Sequence, residues 1–209
     1  MESFDLRLKA PFTAIVSGPS GSGKTQAVSK MIEMSSEICV PPPEEILYCY
    51  GVWQPAFDTM KNVQFYEGMI DVPNRIPMDR RHRWLIIDDL MEEATLKGQS
   101  NALFTKYSHH LNLSVLFLTQ SLFRKEQRIM SLNPHYLFLF KNPGDTSAIS
   151  HFARQVYSNN SRFMSDAYKD ATTKPFSFLL IDMKQGTDER LRLLGNFLDS
   201  DAIVAYSAH

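Results

Sequence analysis

Residues 18–25 read Gly18-Pro19-Ser20-Gly21-Ser22-Gly23-Lys24-Thr25. They stand between an apolar run, Thr13-Ala14-Ile15-Val16, and a helical stretch that continues Gln26-Ala27-Val28. A glycine-rich turn from a strand into a helix aims backbone N–H groups inward at the positive helix end, which makes a nest for an anion. Gly21 leaves out a Cβ where the backbone must come close to phosphate oxygens. Lys24 can then reach the β- and γ-phosphates, and the Thr25 hydroxyl is placed to ligate Mg²⁺. Ordinary residue frequencies give roughly one accidental match per hundred chains of this length, before the strand and helix context is counted. The eight residues are read as a phosphate-binding loop, with ATP and Mg²⁺ as its ligands.

Such a loop belongs on a parallel sheet, and the rest of the sequence supplies one. Strands are predicted at 12–17, 46–50, 63–66, 84–88, 114–119, 136–140 and 176–182, and helices at 24–35, 55–60, 100–110, 146–157 and 161–171. Short, fully apolar strands separated by helices argue for an α/β fold with a mostly parallel central sheet covered on both faces. Whether the last strand is an antiparallel edge or a hairpin element stays open. Pro41-Pro42-Pro43 lacks N–H donors and ends the helix before it.

Composition bounds the rest. At 209 residues the chain is expected to form a single domain, 1–209, that needs no disulfide or metal staple. Cys39 and Cys49 are its two cysteines, which suggests a reducing compartment, and no His/Cys cluster has zinc-ligand spacing. The N-terminus MESFDLRLKAPF lacks an apolar signal core, and the longest apolar runs are too short to span a bilayer. The expectation is a soluble intracellular protein with no membrane partner. A net charge of −1 gives no overall positive field to draw in DNA. A nucleic-acid role must use a local patch, or a ring that concentrates one.

Trp84-Leu85-Ile86-Ile87-Asp88-Asp89 ends an apolar strand in two carboxylates. C-terminal strand ends of a parallel sheet open onto the ligand crevice, so both acids are expected to face the nucleotide. Asp88 is assigned to Mg²⁺ through water, and Asp89 to orienting or deprotonating the attacking water. Glu92 and Glu93 are alternatives for the base. The following strand ends in Gln120, whose amide either touches the γ-phosphate or the attacking water, or is a satisfied strand-end group. Arg80-Arg81-His82-Arg83 is the densest basic cluster and reads either as a solvated turn or as a DNA or partner contact. His109-His110 suits a helix C-terminus, and Trp53, Phe57 and Met60 read as core.

Taken in order, Gly18–Thr25, Asp88-Asp89 and Leu118-Thr119-Gln120 resemble the FtsK/HerA group of motor ATPases. Longer stretches are similar to the genome-packaging ATPases of polinton (Maverick) elements, adintoviruses and virophages, relatives of the poxvirus packaging ATPase. Among these are 42–50, 85–91, 108–115, 117–123 and 131–143, and the match runs from about residue 10 to 195. The resemblance implies a RecA-like P-loop NTPase fold and ATP hydrolysis that drives double-stranded DNA into a preformed capsid. It also implies a homo-oligomeric ring, a hexamer or pentamer, that meets capsid or portal proteins in the host nucleus or cytoplasm. Asp89 departs from much of the wider group, which has Glu there. Ring ATPases commonly borrow an arginine from the neighbouring subunit. Arg128 is assigned that role, with Arg154 and Arg124 behind it. Two other functions compete: a P-loop kinase of nucleotides or small molecules, and a nucleotide-dependent assembly switch that does not translocate.

Overall fold

A computed structural model describes residues 4–90, 102–103, 107–121, 134–144, 146–158, 160–199 and 202–208. Its central feature is a nine-stranded sheet. The strands, in chain order, are β1 (Leu8–Lys9), β2 (Thr13–Ser17), β3 (Cys39–Val40), β4 (Glu45–Tyr50), β5 (Val63–Glu67), β6 (Arg83–Asp88), β7 (Leu113–Thr119), β8 (Tyr136–Phe140), β9 (Phe178–Asp182), β10 (Leu193–Gly195) and β11 (Val204–Tyr206). The sheet runs β11-β10-β9-β8-β2-β7-β6-β4-β5, and β1 pairs with β3 in a separate two-stranded ribbon. From β8 through β5 all neighbours are parallel, whereas β9, β10 and β11 add on antiparallel. The fold is thus mixed α/β with a large, mostly parallel sheet.

The inner strands read as continuous apolar runs because both of their faces are covered. Alternate residues still divide between two cores. Ala14, Val16, Ile46, Tyr48, Trp84, Ile86, Leu116 and Leu118 pack on one face, against Val28, Met31 and Ile32 of helix α1 (Lys24–Glu33). Ile15, Leu47, Cys49, Leu85, Ile87, Val115 and Phe117 pack on the other. There they meet Phe152 and Ala153 of α2 (Thr146–Val156) and Met164 and Tyr168 of α3 (Ser161–Ala171). The free thiols of Cys39 and Cys49 lie in opposite cores. Among the described residues, no helix is long and apolar enough to cross a membrane.

All seven predicted strands form, each within two residues of its expected ends. Strand 176–182 begins at Phe178 because Phe176 takes a left-handed backbone (φ 62°) that no strand accepts. It is an interior antiparallel strand, which decides the question left open by the sequence. The helix expected over 24–35 ends at Glu33, and a second short helix, Ser35–Ile38, follows before the prolines. Residues 55–60 make a 3₁₀ turn, Pro55–Thr59, in place of an α-helix. Of the helix expected over 100–110, several residues lie outside the described ones, and Ser108–His110 is helical.

The basic cluster before β6 is neither a solvated turn throughout nor a free cationic patch. Arg83 is 1% exposed; its guanidinium donates to Glu45 at 2.7 Å and to both Asp79 carboxylate oxygens at 2.7 and 2.8 Å. His82 is buried with Nε2 2.7 Å from Ser114 Oγ. A buried guanidinium is tolerable only when paired in this way. Arg83→Ala is therefore expected to cost about 3 kcal/mol by denaturant unfolding. The Arg83 and Arg81 hydrogen bonds hold the Asp79 carboxyl well below the usual carboxylate range. The stabilisation this gives is present above the unfolded pKa and is lost as pH falls through and below it. Asp79→Asn should lower Tm at pH 7, and its difference from wild type should shrink below about pH 4.

Candidate functional site

Three neighbouring parallel strands, β2, β7 and β6, end at nearly the same level. Ser17 lies beside Thr119, and Leu118 beside Asp88. The glycine loop leaves β2, Gln120 follows β7, and Asp88 closes β6. Between them opens a cavity of about 290 Å³ lined by Gly21, Gly23, Lys24, Thr25, Asp88, Asp89 and Gln120, among others. Period-two alternation along β6 puts Asp88 on the α1 face, the face of Trp84 and Ile86.

The loop is tightly constrained. A Cβ on Gly18 would lie 2.6 Å from both Phe140 Cβ and Ser22 Oγ, so only glycine fits there. Gly21 and Gly23 have φ of 75° and 98°, and Gly23 forms the left-handed N-cap of α1. No side chain caps that helix, and its first turn carries no acidic residue. Its leading N–H groups, which an α-helix leaves without internal partners, are thus left for an anion. Ser22 Oγ is buried with no hydrogen-bond partner. Lys24 Nζ donates to the loop's own carbonyls, Gly18 O at 2.6 Å and Pro19 O at 3.0 Å. The Thr25 hydroxyl donates to Gln54 Oε1 at 3.3 Å.

The acids are held differently. Asp88 is 6% exposed and accepts a 2.8 Å hydrogen bond from Tyr48 OH. Burial pushes the Asp88 carboxyl up; the Tyr48 hydrogen bond and the Lys24 charge pull it down, while Asp89 adds to the rise. Burial likewise lowers the Lys24 ammonium, with Asp88 and Asp89 opposing. Burial raises the Tyr48 phenol, and the Asp88 charge adds to that, which keeps it a neutral donor. Asp89 is exposed at φ 56°, and its carboxylate accepts from Gln120 Nε2 at 3.4 Å. Aspartate is one of the few side chains that tolerates a left-handed backbone.

Lys24, Thr25, Asp88, Asp89 and Gln120 line one crevice, with Gly18, Pro19, Ser20, Gly21, Ser22 and Gly23 as the loop beside them. Arg124, Arg128, Glu92 and Glu93 lie outside the described residues. Arg154 is exposed on α2, donating to Ser150 O at 3.1 Å. Trp53 is 48% exposed and packs edge-on against Tyr50, Phe57 and Phe65, so it is not core, whereas Phe57 is. Sequence reasoning missed Tyr48, Gln54 and Phe176. Tyr48 carried a legible signal, a hydroxyl inside an otherwise apolar strand that must find an acceptor when buried. Gln54 and Phe176 sit in loops and carried none.

The residues fit a Mg²⁺-bound nucleotide. Among the described residues no three His, Cys, Asp or Glu side chains cluster as a metal cage. Mg²⁺ held beside phosphates needs none, since one or two protein oxygens plus phosphate and water complete its shell. Thr25 and Asp88 are the residues that would supply those oxygens, and the uncapped helix end would supply the anion donors.

No protein-family model and no curated protein sequence matches the chain. A solved structure similar in fold is the cytoplasmic domain of the Thermomonospora curvata type VII secretion ATPase EccC, with a TM-score of 0.53 and 12% identity. The likeness covers 83% of this chain and 24% of that one, so the chain spans about a quarter of that structure's length. At this identity the likeness is one of fold: the mostly parallel α/β sheet is shared with a domain of a secretion ATPase.

Proposed function

We propose that the chain is a Mg²⁺-dependent P-loop ATPase of the FtsK/HerA type, working as a homo-oligomeric motor that drives double-stranded DNA into a capsid. The observation that carries the hydrolytic reading is the convergence of Lys24, Thr25, Asp88, Asp89 and Gln120 on one crevice. The fold likeness to a secretion ATPase agrees with it. The packaging reading is supported by the sequence resemblance over residues 10–195.

In this reading Lys24 leaves the Gly18 and Pro19 carbonyls for the phosphates, and loop N–H groups hold the rest of their charge. Thr25, and Asp88 through water, would hold a Mg²⁺ ion, which would supply positive charge to the phosphates. Asp89 and Gln120, already in contact, position the attacking water. Asp89 takes its proton as the water oxygen bonds to phosphorus and the bond to the β–γ bridging oxygen breaks. Arg128 of a neighbouring subunit supplies positive charge to the same phosphoryl group.

Lys24→Ala is expected to abolish hydrolysis while far-ultraviolet circular dichroism and Tm stay near wild type, because among the described residues the Lys24 hydrogen bonds go to its own loop. Turnover close to wild type in this variant would remove the site assignment.

The two aspartates should separate. Asp88→Asn weakens Mg²⁺-dependent nucleotide binding, measured by titration with a non-hydrolysable ATP analogue. Asp89→Asn leaves that binding nearly intact and lowers kcat by about 10²–10⁴, the range of a general base. Equal loss of binding in both variants would show that the roles are not divided.

The motor itself is tested by hydrolysis with and without long duplex DNA. The expected result is stimulation by DNA and none by small hydroxyl acceptors; the reverse pattern would favour a kinase. Specific activity should rise with protein concentration. Arg128→Ala protein should recover partial turnover when mixed with Lys24→Ala protein, since some interfaces then pair an intact loop with an intact arginine. Activity that is flat on dilution, with no recovery on mixing, would exclude Arg128 as a residue acting between subunits.

A further inference from the structure

The loop that leads from α3 into β9 places a mostly exposed aromatic side chain beside the glycine loop. Phe176 is 60% exposed, at φ 62°. A left-handed backbone is costly for a bulky residue, and a bulky apolar ring left in solvent gains nothing from burial. Its position is nevertheless close-set: a Cβ on Gly23 would lie 2.9 Å from Phe176 Cβ and 3.0 Å from its ring. Strained backbone held beside a binding loop points to use rather than to stability.

Phe176 also stands between two cavities. It lines the 290 Å³ crevice that contains Lys24 and Asp88, and it lines a second cavity of about 260 Å³ with Lys141, Thr173, Lys174, Pro175 and Ser177. The strand order gives the two a direction. Asp88 and Gln120 lie on the β7–β6 side of the glycine loop, while Phe176 lies two residues before Phe178, which pairs with Phe140 at the end of β8 on the opposite side. A nucleoside triphosphate whose terminal phosphate points to Asp88 and Asp89 therefore extends its other end toward Phe176.

We infer that the Phe176 ring is the platform on which the nucleobase stacks, and that the second cavity, lined in part by Lys141 and Lys174, receives the base edge. The inference rests on the nucleotide-binding reading of the glycine loop. A bare aromatic face is suited to this because every base offers a π-face, and such stacking survives differences in base identity. It also explains the exposure: the ring is covered by ligand, not by protein.

The experiment compares two probes on the full chain, a non-hydrolysable ATP analogue and inorganic tripolyphosphate, each with Mg²⁺, by calorimetric titration. Phe176→Ala should weaken the ATP analogue roughly tenfold or more. It should leave tripolyphosphate unchanged, and Phe176→Tyr should restore the analogue. In Phe176→Trp protein, the analogue should alter indole fluorescence and tripolyphosphate should not. Equal loss of both probes in Phe176→Ala would make Phe176 a wall of the phosphate loop and overturn the stacking role, as would no loss of either. Wild-type protein that binds the analogue no better than tripolyphosphate would overturn it too, leaving the loop reading intact. Wild-type protein that binds neither probe would take down the loop reading and this one together.

Discussion

The parallel register that sets Ser17 beside Thr119 and Leu118 beside Asp88 is the constraint on which the crevice depends. Each strand end contributes a different piece of chemistry, and none is near another in sequence. A slip of one residue along β6 would carry Asp88 from the α1 face to the α2–α3 face, away from the glycine loop. What prevents the slip is burial on both sides. Trp84 and Ile86 fill one core and Leu85 and Ile87 the other, so β6 has no solvent face into which it could turn. The Arg83 guanidinium, clamped to Asp79 and Glu45 at the start of β6, holds the strand's other end.

Within that frame the glycine loop and the acid strand form an unfinished electrostatic system. Asp88 is buried and Lys24 half-buried, and burial disfavours the charged form of each. Their mutual attraction opposes this but acts at a distance, since Lys24 bonds to loop carbonyls and Asp88 to Tyr48. Phosphate oxygens beside Lys24 and a divalent cation beside Asp88 would each favour the charged form that burial disfavours. In the nucleotide-binding reading, the carbonyls that now hold Lys24 are its resting partners.

Much of this was legible from the chain. The strands of the parallel core are short apolar runs with sharp polar ends, and period-two packing against helices on both faces leaves few other readings. The loop was legible because glycine at Gly18, Gly21 and Gly23 answers three separate demands: a close approach to Phe140 at the first, and left-handed backbone at the other two. β1, β3, β10 and β11 were missed because they have two or three residues each, too few for any periodicity to show. Phe176 was absorbed into a strand because its neighbours from Phe178 onward are apolar; its left-handed backbone is a tertiary fact. The basic cluster misled for the opposite reason. Charge density was visible in the sequence, but the partners of Arg83 lie 4 and 38 residues away, and pairing with Glu45 depends on β4 lying beside β6.

That pairing bears on how a motor of this kind could hold DNA. Of the four basic residues at 80–83, Arg83 and His82 are committed to the interior, and Arg81 is paired with Asp79 at 3.1 Å. The stretch that looked most suited to phosphate contact is thus largely used up in fixing β6. A net charge of −1 gives the chain no overall positive field to replace it. Counterion release scales with the number of phosphates neutralised, so one or two exposed lysines or arginines per subunit become effective only when several copies face one duplex. In the packaging reading, closed heterologous association would achieve that without changing the sequence's charge balance, and would set each crevice against a neighbour's surface. In the packaging reading, DNA binding and hydrolysis therefore share one requirement, because both remain incomplete in the single chain and both are completed by the same ring.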